Sequence, residues 1–286
     1  MQTYILGSGT PTSDAERFGS SYVFHVGDDY IMVDCGPATT YKLAKVGIKP
    51  TMIDHLLCAP RHFDHDVDYP CFLLSRWNES IGIENELQVL GPTLTELISH
   101  RLMDADTGAF AHDWIARINH PLSLNAHTSR GGNLPRPPLT VNARDIGPGK
   151  VHAGDTWEIT AAPAEHVEPW LDSLAYRLDT EEGSIVVTGD TRPCQSVEEL
   201  AKDVDLMMCL CTYVQDEIDG TPESEFMCGS TAAAQMAQAA GAKQLALVHQ
   251  SPSLDQPGLA ERALADITAV YDGTVIWGRE LMTLDM

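Results

Sequence analysis

The sequence predicts an α/β layered fold. Short runs of β-branched and aromatic residues alternate with stretches of helical spacing along nearly the whole chain. The 286 residues contain no internal repeat and no low-complexity block, enough for one large domain or two small ones. The composition is ordinary for a globular protein, with 43% hydrophobic and 21% charged residues, and can supply a sizeable core.

The elements follow in order. QTYIL (2–6) reads as a strand that ends in the turn GSGTP. SYVFHV (21–26) and YIMVDC (30–35) are two more strands, separated by the turn Gly27-Asp28-Asp29. Helical spacing over 38–46 stops at Gly47, and 54–59 is a short apolar run. Residues 66–76 and 93–103 have helical patterns. The segment from about 104 to 150 differs. It is expected to be an insertion, with one helix at 111–118 followed by irregular chain through the proline-rich LPRPP, serving as a lid or an interface. Alternation then resumes, with strands at 156–163, 173–178, 184–190, 206–211, 244–249 and 274–277 and helices at 230–240 and 257–270. The domain expectation is therefore a single unit over 1–286 with that insertion.

The N-terminus lacks the basic and apolar regions of a signal peptide, and no apolar run approaches the ~20 residues of a membrane span. Seven scattered cysteines form no C-x-x-C pair, which indicates neither a disulfide framework nor a zinc knuckle. These features predict a cytoplasmic chain without a membrane partner. The net charge of -23 disfavours polyanionic partners, because nucleic-acid binders need basic patches, and no basic cluster offsets the total.

Chemistry concentrates in APRHFDHDVDYP (59–70), where two histidines and three aspartates fall between His62 and Asp68. Imidazole nitrogens and carboxylate oxygens at that density suit a zinc-like site, and Asp64 between His62 and His65 strengthens it. Further along, His166 lies just beyond its strand, Asp190 closes TGD and His249 closes LVH, all at strand ends where a sheet holds functional loops. Two metals a few ångströms apart would share a water and lower its pKa toward ~7. His25, His100, His112, His120, His127 and His152 sit in no ligand-rich motif and are read as ordinary surface or core residues.

LGSGTP (6–11), VDCGPA (33–38), the 59–70 cluster, AEH (164–166), TGDT (188–191) and LVH (247–249) occur in an order and spacing that resembles the metallo-β-lactamase superfamily, in the branch of ribonuclease Z and arylsulfatase-like hydrolases. The resemblance spans almost the whole chain outside 104–150. It implies an αβ/βα four-layer sandwich. It also implies one metal on His62, His166 and Asp190, and a second on Asp64, His65, His249 and the shared Asp190. Two departures stand out. The family's H-x-H-x-D-H begins here with Pro60, which has no side-chain donor, so the first site lacks one imidazole. A G-H-S-T histidine that protonates the leaving group in ribonuclease Z-like members is replaced by Gly229.

The functional expectation is a hydrolase of a small molecule, such as an activated ester, lactone or aryl ether, acting through a metal-bound hydroxide that Asp64 orients or deprotonates. The cofactor expected is a divalent metal, one or two per chain, zinc first, with manganese or iron compatible. The alternative is a non-catalytic or weakly catalytic subunit paired with a fully liganded homologue. A nuclease ranks below both. The partners expected are a small-molecule substrate and a homo- or hetero-oligomer, with no nucleic acid.

Overall fold

The computed structural model describes residues 1–82 and 85–286. Among the described residues, fourteen strands form two seven-stranded sheets packed face to face. The first sheet contains β1 (Gln2–Gly7), β2 (Ser21–Val26), β3 (Asp29–Val33), β4 (Ile53–Leu57), β5 (Gln88–Gly91) and β6 (Asn142–Asp145). The second contains β7 (Gly149–Ala153), β8 (Trp157–Val167), β9 (Leu171–Thr180), β10 (Gly183–Val187), β11 (Leu206–Leu210), β12 (Gln244–Val248) and β13 (Thr274–Trp277). The last strand, β14 (Met282–Asp285), returns to pair antiparallel with β1, giving the first sheet the order β14-β1-β2-β3-β4-β5-β6. In both sheets an antiparallel half gives way to a parallel half, at β3–β4 and at β10–β11.

The strand sequences read as continuous apolar runs because both of their faces are covered. In β2, Tyr22, Phe24 and Val26 enter the core between the sheets, whereas Val23 enters an outer core. β11 repeats the alternation, with Leu206 and Met208 inward and Met207 and Cys209 outward. The outer cores are roofed by helices. On the first sheet lie α1 (Thr39–Lys45), α2 (Phe63–Asp66), α3 (Tyr69–Glu79), α4 (Thr95–Met103), α5 (Ala111–Asn119) and α6 (Pro121–Ser129), of which α1, α3, α4 and α5 supply Leu43, Phe72, Met103 and Trp114 to the core. On the second lie α7 (Gln195–Leu200), α8 (Gln215–Ile218), α9 (Ser230–Ala240) and α10 (Leu259–Thr268), with Val197, Ala233 and Ile267 buried beneath. Each fully buried large apolar side chain contributes about 1.5–3 kcal/mol. The result is the four-layer αβ/βα sandwich that the sequence predicts.

Several details differ from the sequence expectations. The helix expected at 66–76 is α3, running from Tyr69 to Glu79 with Pro70 in its first turn, where the missing N–H costs nothing, and the single turn α2 precedes it at Phe63–Asp66. The 104–150 segment holds a second helix, α6, which opens on Pro121, and it ends in β6, which pairs in parallel with β5. β8 runs to Val167 rather than stopping at 163, so His166 lies within a strand. All seven cysteines are free thiols, and no described helix is long and apolar enough to cross a membrane.

Candidate metal centre

The functional side chains gather at one edge of the sandwich because the strands deliver them there. His62 follows β4, Asp190 follows β10 and His249 follows β12. His166 reaches the same edge through a register shift between Ala164 and Val167 in the β8–β9 ladder, an irregularity of the kind that re-aims one side chain. His62 caps the single turn of α2, which carries Asp64 and His65. His249 adopts a left-handed backbone, φ 54°, a conformation that non-glycine residues adopt mainly where the surroundings impose it.

The loop bearing the histidine cluster is fastened to the end of β3. Cys35 N–H donates to His65 O at 2.6 Å and Asp68 N–H to Cys35 O at 3.1 Å. Gly19 and Gly36 press on the Asp64 backbone so closely that a Cβ on either would lie 2.1–2.2 Å from Asp64 O. Arg61 points into the protein. Its Nη1 donates to Cys58 Sγ at 2.8 Å, its Nη2 lies 3.2 Å from Asp66 Oδ2, and its guanidinium sits over the Tyr69 ring. It braces the loop and takes no part in the ligand cluster. Pro60 is buried beside Gly189.

Two groups of ligand atoms result. His62, His166 and Asp190 form one, and Asp64, His65 and His249 form the other, each with its atoms within 4.8 Å of one another. Asp190 spans both. Its Oδ2 lies 3.6 Å from His62 Nδ1, 3.6 Å from His166 Nε2 and 3.2 Å from His65 Nε2, and its Oδ1 lies 3.2 Å from His249 Nε2. Asp64 Oδ2 completes the second group, 3.3 Å from His249 Nε2 and 3.6 Å from His65 Nε2. A tetrahedral ion with bonds of about 2.1 Å places its ligand atoms about 3.4 Å apart, so these separations fit an ion in each group.

The burial pattern also fits a cation. Asp64 Oδ1, His65 Nε2 and Asp190 Oδ1 are buried without a hydrogen-bond partner among the described residues. Unpaired buried polar atoms are costly, and a coordinated ion would satisfy all three. Burial opposes a charge on His65, yet Asp190, Asp34 and Asp64 outweigh it and raise its pKa well above the ordinary range. Burial likewise pushes the Asp190 carboxyl up, but His249 and His65 hold it well below the ordinary range. The cluster therefore favours positive charge, which protons supply when no metal does.

Three supporting residues escaped the sequence reading. His65 Nδ1–H donates to Asp34 Oδ2 at 2.7 Å, while Asp34 Oδ1 accepts the Ala59 N–H at 2.8 Å. That bond fixes the His65 tautomer and leaves Nε2 facing the ligand cluster. His166 Nδ1–H donates to the Phe226 carbonyl at 2.8 Å with the same effect. Thr212 Oγ1 lies 3.5 Å from His249 Nδ1. Asp34 stood in the quoted VDCGPA, and its position directly after a strand was the available signal. Gly229 has a structural reason too. It precedes α9, and a Cβ there would meet Gln215 Oε1 at 2.6 Å, the same oxygen that accepts the Ala232 N–H on the first turn of the helix.

Comparison with known proteins bears on what this arrangement does. Residues 97–250 match the model of the beta-lactamase superfamily domain. The chain is similar to a ribonuclease Z of Mycobacterium bovis (strain BCG / Pasteur 1173P2), 26% identical over 100% of this chain and 98% of that protein. It is also similar to a ribonuclease Z of Mycobacterium avium (strain 104), 29% identical over 98% of this chain and 96% of that one. Among solved structures, the metallo-beta-lactamase fold protein YhfI from Bacillus subtilis superposes with a TM-score of 0.73 at 20% identity, covering 99% of this chain and 98% of that one. Human tRNase Z, short form, superposes with a TM-score of 0.68 at 16% identity, covering 100% of this chain.

These relatives correct two expectations. Small-molecule hydrolysis, with a non-catalytic subunit as its alternative, ranked above a nuclease, and nucleic acid was excluded as a partner. Full-length similarity to ribonucleases Z reverses both. The net charge is a poor guide here, because it sums over the whole surface and says nothing of where the few basic residues lie.

Proposed function

The chain belongs to the beta-lactamase superfamily, and on that premise we propose that it is a metal-dependent ribonuclease of the ribonuclease Z kind, hydrolysing a phosphodiester bond in RNA. The observation that carries this reading is Asp190 joining two His/Asp groups at one edge of a fold that aligns end to end with ribonucleases Z. His62, His166 and Asp190 would hold one divalent ion, and Asp64, His65, His249 and Asp190 the other. Zinc suits these nitrogen and oxygen donors, and manganese and iron share them. When bound, such ions polarise a phosphoryl oxygen and lower the pKa of water.

The chain's own groups do the rest. Asp64, a member of the second group whose Oδ1 is buried without a partner among the described residues, orients the attacking water or accepts its proton. Asp34 and the Phe226 carbonyl hold the imidazoles of His65 and His166 in a single tautomer. Phe63, between two ligand residues, and Trp170, on the hairpin after His166, are 59% and 89% exposed. Their rings offer stacking faces for bases at the mouth of the site. Gln215 fills the space at position 229, so the leaving oxygen draws its proton from elsewhere than the start of α9.

The test is cleavage of a precursor-tRNA transcript by protein reconstituted with zinc, manganese or iron. Cleavage that EDTA abolishes, and that Asp64→Ala reduces at least 10²-fold, is expected. Failure to cleave structured or single-stranded RNA with any of the three metals refutes the reading.

A further inference from the structure

The few basic residues are unevenly placed. Residues 114–144 contain no aspartate or glutamate but carry Arg117, Arg130, Arg136 and Arg144, in a chain of net charge -23. Three of these arginines lie close together at the end of α3. Arg136 stacks on the Trp77 ring, its guanidinium carbon 3.9 Å from the centroid, and its Nη2 donates to Asn78 Oδ1 at 3.2 Å. Arg130 Nη2 donates to the Asn78 carbonyl at 3.3 Å. Arg117 is near enough to depress the pKa of Arg136, together with Arg130, behind the larger effect of burial. Arg117 is paired with Asp113, but Arg130 and Arg136 have no carboxylate partner among the described residues.

Arg136 is only 8% exposed and lines a cavity of about 210 Å³ with Trp77, Ser80, His127 and Asn133. Burying a guanidinium without a counterion is expensive, and among the described residues Arg136 has only the Trp77 ring and Asn78 Oδ1 to offset that cost. His127 on the same cavity donates its Nε2–H to the Asn133 carbonyl at 3.1 Å, which leaves its buried Nδ1 an acceptor without a partner among the described residues. A guanidinium with no carboxylate partner among the described residues, beside an exposed arginine and an aromatic ring, matches what a phosphodiester backbone needs: donors for its oxygens and a stacking face beside them.

We propose that Arg130, Arg136 and Trp77, with the cavity they border, form a docking site for the RNA backbone, remote from the ligand cluster. This inference rests on the ribonuclease reading for its choice of polyanion. α3 links the two places, since it begins directly after the histidine cluster and ends at Trp77 and Asn78. Ten residues of helix separate Asp68 from Asn78, about 15 Å at about 1.5 Å per residue, or four to five stacked nucleotides at about 3.4 Å each. The site holds the strand several nucleotides from the bond that is cut.

The test compares wild type with Arg130→Glu and Arg136→Gln, neither of which touches the ligand cluster. KM and kcat for a precursor-tRNA transcript are measured across a salt series, with bis(p-nitrophenyl) phosphate as a small diester and fluorescence anisotropy for transcript binding. The expected result is a KM for RNA raised about tenfold or more in each variant. kcat and small-diester turnover should stay within about twofold, and the slope of log KM against log salt should shrink by about one per arginine. Unchanged KM and salt slope in a cleaving enzyme overturn the docking site and leave the nuclease reading standing. Binding that the variants weaken, without cleavage by wild type, supports the docking site and sinks the nuclease reading. No transcript binding by wild type overturns the docking site. So does quenching of Trp77 fluorescence by inorganic phosphate alone at the concentrations where RNA acts, because the site would then be one for free phosphate.

Discussion

Replacing Asp34 with asparagine tests whether the geometry around His65 sets metal affinity. The substitution keeps the volume of a fully buried side chain. Asn also tolerates the left-handed backbone at this position, φ 63°, so little strain is added. The amide oxygen can still accept the Ala59 N–H, now 2.8 Å from Oδ1. The other carboxylate oxygen becomes an NH2 donor facing His65 Nδ1, where the present distance is 2.7 Å. Two donors cannot face each other, so Nδ1 must become the acceptor and the imidazole proton must move to Nε2. That atom lies 3.2 Å from Asp190 and 3.6 Å from Asp64, in the middle of the second group. A protonated Nε2 cannot bind a metal, and recovering the productive tautomer breaks the new hydrogen bond. Losses of this kind cost about 10–100-fold in metal affinity, or about 1.4–2.7 kcal/mol. Zinc affinity measured against a chromophoric chelator should fall by that factor, and nitrogen NMR of His65 should report the tautomer change. Unchanged affinity with a folded protein refutes the reasoning, and a lower Tm at unchanged affinity would give Asp34 a purely structural role.

Other outcomes are expected. Pro60→His supplies the imidazole missing from the first group and should raise bound metal toward two per chain without lowering activity; two equally tight metals in the wild-type chain would refute this. Trp170→Ala should raise KM for RNA about fivefold or more and leave small-diester turnover alone, since a stacked base is worth about 1–3 kcal/mol; an unchanged KM removes Trp170 from the binding surface. His55 is neutralised mainly by burial and further by His152, which lowers its pKa to about 4 from the ordinary 6.5 despite the opposing pull of Asp29. The folded state resists this proton, so the contribution of His55 is complete above the ordinary value and is lost as pH falls toward about 4. After discounting for partial exposure, that loss is about 1–2 kcal/mol. The stability of His55→Phe relative to wild type should therefore rise between pH 7 and 4.5, and a flat difference by urea denaturation would contradict it.

The six ligand-type residues were legible because each sits in a short motif at the end of an apolar run, and motif order survives where spacing drifts. Asp34 was not, because its role depends on a contact with His65 across 31 positions that no local pattern announces. The position of His166 was misread for a related reason. Its strand continues past Pro163, and only the ladder with β9 shows that the register slips there. The layered fold was readable from the alternation of apolar runs with helical spacing, because strands buried on both faces look continuously apolar, and its four-layer form from the order of the motifs. The edge elements β6 and β14 were not, because each is four residues long and half exposed. α6 was hidden by polar residues and a first-turn proline, which suit a helix lying on the surface rather than one that anchors a core.

The net charge misled because charge acts locally in salt. At physiological ionic strength the Debye length is about 8 Å, so a carboxylate across the molecule barely registers at Arg130. A phosphate approaching that residue meets Arg136 and Arg117 within the same neighbourhood, and Asp113, which acts on Arg136, is already paired with Arg117. The acidic remainder then has a consequence of its own. A polyanion is repelled from most orientations and is admitted where arginines or the cation-seeking His/Asp cluster face it. Such an arrangement trades overall affinity for orientation, since each wrong approach carries a like-charge cost. A uniformly basic protein would bind RNA more tightly and in more ways. On the proposed reading a strand would have two footholds, the end of α3 and the ligand edge, and the helix between them would set how many nucleotides separate the held phosphate from the one that is attacked.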